Sequence, residues 1–293
     1  MSQTPTASTR PDSVPRPRGV VRTVRGQPAS DGAGVRLSRV IGQAALPMLD
    51  PFLLFDEFGS DAAADYVAGF PDHPHRGFET VTYMLAGRMR HADSAGNSGL
   101  LEAGSVQWMT AGRGLVHSEM PEQQAGLMRG FQLWVNLPAA DKLCAPRYQD
   151  IAPDRVPEVE PAAGVRVRVI AGRLGDACGP VDGVATDPVY LDVRLDAGAH
   201  LSVPLPVGHA AFAYAYEGAA RLGAAPQPVR RGELAVLSDG DALGVRAEAD
   251  APARLIVVAG RPLREPVARH GPFVMNTRQQ LVEAFEDFQA GRF

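Results

Sequence analysis

Four side chains in this sequence have the types and spacing to hold a metal ion. His73 and His75 stand at i and i+2 in FPDHPHRGFETVTYMLAG, residues 70–87, and His117 and Glu119 repeat that interval in TAGRGLVHSEMPE. Alternate residues of a strand share a face, so each pair aims at one side. Three imidazole nitrogens and one carboxylate oxygen suit a divalent first-row metal. Read singly, none of the four is diagnostic: a histidine before Pro74 is ordinary in a turn, and an isolated glutamate is ordinarily exposed. The repeated interval is what singles them out. The other histidines, His91, His200, His209 and His270, lack a partner at ligand spacing and are assigned to surface or packing roles.

Such ligands must be carried by strands, and strands dominate the hydrophobic pattern. GVRVRVIAG alternates Val165, Val167 and Val169 with Arg166 and Arg168, and VYLDVRL puts Val189, Leu191, Val193 and Leu195 on one face. Further short apolar runs, GFQLWVNLP, AFAYAYEG, GELAVLS and ARLIVVAG, are separated by Gly, Pro, Asp and Asn at the spacing of an antiparallel sandwich or barrel. The end of the chain differs. Thr277 and Gln280 have capping-box spacing, Leu281, Phe285 and Phe288 share a helical face, and Gly291 is placed to stop a helix within 276–293.

The stretch 138–161 holds five prolines and little strand signal, so 141–161 reads as a connection between β-rich halves at 18–140 and 162–275. HRGFETVTYMLAGRMR with LLEAGSVQWM is echoed by HAAFAYAYEGAARLG with VRRGELAVLS, which points to a duplicated β unit. The opening residues 1–17 have the composition of a disordered, locally basic tail.

At 293 residues with 45% hydrophobic and 21% charged side chains, the chain has ample material for a core. A formal net charge of −4 gives no reason to expect direct nucleic-acid binding. The cations are nearly all arginine, Lys142 being the sole lysine, a bias attributable to a GC-rich genome. Cys144 and Cys178 are too far apart for a Cys-x-x-Cys motif, so both are expected to be reduced thiols. No apolar run is long enough to span a membrane. A cytoplasmic monomer is the expectation.

FPDHPHRGFETVTY, QWMTAGRGLVHSEMP, LWVNLP and HGPFVMNT together resemble the pirin family, a branch of the cupin superfamily. The resemblance implies an all-β bicupin, with two stacked antiparallel β-barrels and a C-terminal α-helix. It also implies one mononuclear Fe(II) in the N-terminal barrel, held by His73, His75, His117 and Glu119, and none in the C-terminal one. Ni, Mn, Co, Zn or Cu are chemically admissible in a mixed N/O site. General cupins take a carboxylate ligand soon after the His-x-His pair, which makes Glu79 the competing residue; it is assigned to support the ligands from behind. The activity implied is that of a quercetin 2,3-dioxygenase, acting on a flavonol-like molecule and O2, with Glu119 also accepting a proton. The alternative is an iron-dependent co-regulator that binds a transcription factor or a metabolic enzyme. Asp56, Phe70 and Trp134 are the expected pocket residues, alternation demanding that either Gln132 with Trp134 or Phe131 with Leu133 face inward. Arg76 is expected at the surface.

Overall fold

Side-chain alternation decides the architecture of the computed structural model, which describes residues 16–293. In strands Phe78–Ala86 and Met128–Asn136, the residues Val81, Tyr83, Phe131 and Leu133 project to one face and join a buried cluster shared by both halves. Thr82, Gln132 and Trp134, of opposite parity, project to the other face. The same strands therefore serve two interiors.

These strands lie in a seven-stranded antiparallel sheet, ordered Arg147–Ile151, Val106–Thr110, Phe78–Ala86, Met128–Asn136, Phe52–Ser60, Val35–Ile41, Gln27–Asp31. A second seven-stranded sheet is built on Ala210–Glu217, Ala253–Gly260 and Val189–Leu195. The two stack through an apolar layer in which Phe52 meets Phe212 at 5.3 Å and Phe55 meets Tyr214 at 5.3 Å between ring centroids. Edge-on aromatic pairs of this kind add to the burial of their area. Asp192 brings a carboxylate into the layer. Asp192 is fully buried, accepting from Tyr83 Oη at 2.7 Å and from the Tyr216 hydroxyl, while Arg168 donates to Tyr83 Oη at 3.1 Å. Its bonds offset the cost of burying the charge.

Each large sheet carries a four-stranded sheet on its outer side: Phe70–His75, Leu115–Pro121, Met89–Asp93 and Ser98–Leu101 in the first half, His200–Pro204, Ala242–Ala247, Ala219–Leu222 and Gln227–Arg230 in the second. The fold is thus all-β, two cupin-type units with one C-terminal helix. The sheets face each other as open sandwiches and do not close into the expected barrels, since the small sheets are not hydrogen-bonded to the large ones. The second interior is filled with aliphatic side chains, among them Val167, Leu191, Val203, Leu222 and Leu243. Over its mouth lies the buried guanidinium of Arg18, donating to the carbonyls of Pro206, His209 and Ser238 at 2.7–3.0 Å.

Three sequence boundaries shift. Residues 1–15 of the expected tail lie outside the described residues, but Arg16 N donates to the Asp241 carboxylate at 3.0 Å and Pro17 bridges to Ala242. Val20–Arg25, counted with the first half by position, pairs with Glu233–Leu237 of the second. The proline-rich stretch 141–161 contains Arg147–Ile151 and Glu158–Ala162, which are edge strands of the first and second large sheets. Edge strands leave one side unpaired and so tolerate proline, which masks them in a sequence reading.

The helix runs Arg278–Gln289 behind Thr277, with both bonds of the capping box formed. Phe285 and Phe288 pack on Phe273 of the hairpin Ala268–His270/Phe273–Met275. That hairpin is drawn against the first half at Gly77, whose φ of +84° suits glycine and where a Cβ would run into the Val274 carbonyl oxygen. Among the described residues no helix is long and apolar enough to cross a membrane.

Candidate metal centre

His73 and His75 come from Phe70–His75, His117 and Glu119 from the adjacent strand Leu115–Pro121, with His117 directly opposite His73 in the ladder. The register shifts between His117 and Glu119. One ring nitrogen from each histidine lies within 4.8 Å of those of the other two, a grouping able to hold a metal ion. Ring centroids are 4.4 Å apart for His73 and His117 and 5.0 Å for His75 and His117.

The donor chemistry fits a cation. His117 is fully buried and neither of its nitrogens has a hydrogen-bond partner; Nδ1 of buried His75 also lacks one. Buried polar atoms are normally satisfied, so an imidazole with two orphaned nitrogens calls for a missing partner. His73 Nδ1 lies 2.8 Å from the Pro71 carbonyl oxygen. A carbonyl only accepts, so the proton sits on Nδ1 and leaves Nε2 as the donor atom for a metal. Burial, with His73 as the next contributor, holds the His117 pKa well below the ordinary value; burial and then the His117 and His73 rings do the same to His75. Neutral imidazoles are the form that ligates.

Glu119 is buried and faces the same cavity, although its carboxylate does not join the close histidine group. Its Oε1 accepts from Thr82 Oγ1 at 2.9 Å, and burial raises its pKa above the usual carboxylate range. His73, His75 and Glu119 line a cavity of about 550 Å³, with His117 buried behind them. Asp56, Phe70 and Trp134 line it too, so Gln132 and Trp134 are the inward pair of their strand. Trp134 lies 4.4 Å from Phe78, tilted, and 5.2 Å from His75, edge-on, centroid to centroid. Asp56 is clamped by Arg39, which donates through Nε at 3.1 Å and Nη2 at 2.8 Å, yet burial still pushes its pKa up to about 6. Arg39, Thr82 and Arg269 also belong to this site, and no local sequence signal marks them.

Two expectations fail here. Arg76 is buried instead of reaching the surface, bonded to Asp287 at 2.7 Å and stacked 4.3 Å from the Phe293 ring centroid. Glu79 turns away from the histidines. The turn at Gly77 separates it from the strand of His75, so an i+4 count along one strand does not apply. On its own strand it shares the parity of Val81 and Tyr83, and its Oε1 accepts from Thr110 Oγ1 at 2.7 Å. Burial pushes its pKa from 4.5 up to about 7. Between those values the folded chain keeps a proton that the unfolded chain has released, so stability falls as pH rises through the window and the deficit persists above it. Glu79→Gln is therefore expected to match the parent near pH 4 and to exceed it at pH 8 by on the order of 2–3 kcal/mol. Urea midpoints at the two pH values measure this. An equal offset at both would exclude Glu79 titration as its source.

Two stacked β-sandwiches, the first enclosing a buried histidine cluster, define a two-domain cupin protein. The chain belongs to the pirin family: the Pirin model matches residues 34–135 and the Pirin C-terminal cupin domain matches residues 190–293. It is 53% identical over 278 residues to a pirin-like protein of Caulobacter vibrioides, covering 94% of this chain and 99% of the relative. Pirin from Homo sapiens is 43% identical over 277 residues, 92% of each chain. A crystal structure described as quercetin 2,3-dioxygenase from Acinetobacter baumannii superposes with a TM-score of 0.86 at 32% identity, covering 94% of this chain and 98% of that one.

Proposed function

We propose that this chain is a mononuclear Fe(II) protein that opens flavonols such as quercetin with O2. The observation that carries the reading is the fully buried His117, with two unpartnered nitrogens, grouped with His73 and His75, which line the cavity. His73, His75, His117 and Glu119 would hold the metal. Divalent iron held by these four residues would supply the Lewis-acid and dioxygen chemistry the reaction needs. The similarity to a chain described as quercetin 2,3-dioxygenase supports this activity.

The chain's own residues account for the rest. Leu37, Phe58, Phe70 and Trp134 form apolar walls that accept a planar polycycle and exclude water. Thr82 fixes one oxygen of Glu119, which orients the carboxylate and leaves the other oxygen available. Glu119, raised in basicity by burial, can take the proton of a flavonol hydroxyl as it enters. Thr82 Oγ1 also lies 2.7 Å from the Gln132 side-chain amide, tying the proton acceptor to the inner wall.

Anaerobic purification followed by metal analysis and quercetin assay tests the reading. Iron near one equivalent, catalytic bleaching of the flavonol band and release of carbon monoxide in step are the expected results. Iron-replete protein that turns over no flavonol would remove the dioxygenase assignment while leaving the metal site in place.

A further inference from the structure

The cavity beside the histidines is walled partly by the other half of the molecule. Arg269, Gly271 and Pro272, from the hairpin that follows the second cupin unit, line it alongside His73, His75 and Trp134. The hairpin is held in place by backbone bonds: Arg76 N donates to Pro272 O at 3.2 Å and Val274 N to Arg76 O at 3.0 Å.

The cavity holds two guanidiniums in different electrostatic states. Arg39 is neutralised by two carboxylates, Asp56 at 2.8 Å and Asp31 at 2.7 Å. Arg269 has no carboxylate within ion-pair distance among the described residues; its Nη1 donates to the Leu53 carbonyl at 3.0 Å and its guanidinium lies 4.9 Å from the Trp134 ring centroid. That leaves most of its N–H groups without a protein partner. Desolvation, then the Arg39 cation, hold its pKa below the ordinary arginine value. Asp56 and Asp31 act on it only at longer range, so an anion arriving there would meet N–H groups that no carboxylate engages directly, beside the Trp134 ring.

We infer that Arg269 is a specificity-determining residue that selects planar substrates bearing an anionic oxygen, carboxylate or phenolate, at the end of the cavity beside Trp134. This deepens, and rests on, the reading of the cavity as a substrate site. It also gives the second cupin unit a role in the chemistry of the first: it delivers the cation that sorts substrates.

The test uses the full-length, iron-loaded chain under anaerobic conditions, with 2-naphthoate and its uncharged amide as probes in calorimetric titrations. A metal can itself favour a carboxylate, so the readout is the acid-to-amide affinity ratio in the parent against that in Arg269→Gln. Loss of a charge-assisted bond predicts that the ratio falls by about tenfold or more, with iron content and unfolding midpoint unchanged. Arg269→Lys should restore some of the preference, since the charge returns without the planar stack. An identical ratio in the parent and Arg269→Gln, or a parent with no preference for the anion, overturns the inference. Turnover is not the readout, so a chain that selects the anion yet opens no flavonol would count against the dioxygenase reading alone.

Discussion

His117→Ala is expected to lose metal affinity by on the order of a hundredfold or more and to lose flavonol turnover with it, while the far-UV circular dichroism stays that of the parent. The reason lies in where the stability resides. The shared layer around Phe55, Phe131, Tyr190 and Phe212 and the aliphatic interior of the second half are apolar cores that need no ion. Removing His117 deletes a buried imidazole whose nitrogens have no protein partner, so the fold loses no hydrogen bond. His209→Ala is the control, because its ring lies in the second half, 3.9 Å from Asp187 and remote from the cluster. Iron retained at parental stoichiometry in His117→Ala, or lost in His209→Ala, would contradict the assignment.

Glu119→Gln should uncouple the ligand and proton-acceptor roles that the carboxylate combines. An amide oxygen coordinates weakly, so some metal remains, and Thr82 can still donate to that oxygen as it does at 2.9 Å now. The amide is a poor base, and loss of a positioned proton acceptor lowers turnover by about 10²–10⁴-fold. Glu119→Ala should lose metal and turnover together. Iron quantified alongside initial rates for both variants separates ligation from proton transfer. Full iron with undiminished rate in Glu119→Gln would place the base elsewhere, and Glu79, buried on the opposite sheet face, is not positioned to replace it.

The chemistry was legible in the sequence where it depended on local spacing. Histidines two apart on one strand must share a face, and His73, His75 and His117 do converge. The capping box at Thr277 was equally local and formed as expected. What escaped was set by chain reversals and by contacts between distant segments. Gly77 breaks the strand and sends Glu79 to the other face. Arg39 and Arg269 are 230 positions apart, and nothing near either announces that they share a cavity. Alternation offered two solutions for Gln132 and Trp134 because both faces of their strand are covered, one by the cavity and one by the second half. Arg76 looked like a surface residue because its partners, Asp287 and Phe293, come from the far end of the chain.

The sole lysine sits at the joint between the halves. Lys142 is 1% exposed, and its Nζ donates to Gly77 O, Asn136 Oδ1 and Val274 O at 2.8–2.9 Å, clasping the turn behind the histidine strand to the hairpin that carries Arg269. Burial lowers its pKa to about 8. Because the sequence holds no other lysine, the folded residues 16–293 offer amine-directed reagents no exposed side chain. Among side-chain amines, acylating or crosslinking chemistry would find only Lys142, and would mark it only when that clasp opens. The residue is thus a built-in clock for the opening of the joint, readable by mass spectrometry without any engineered label.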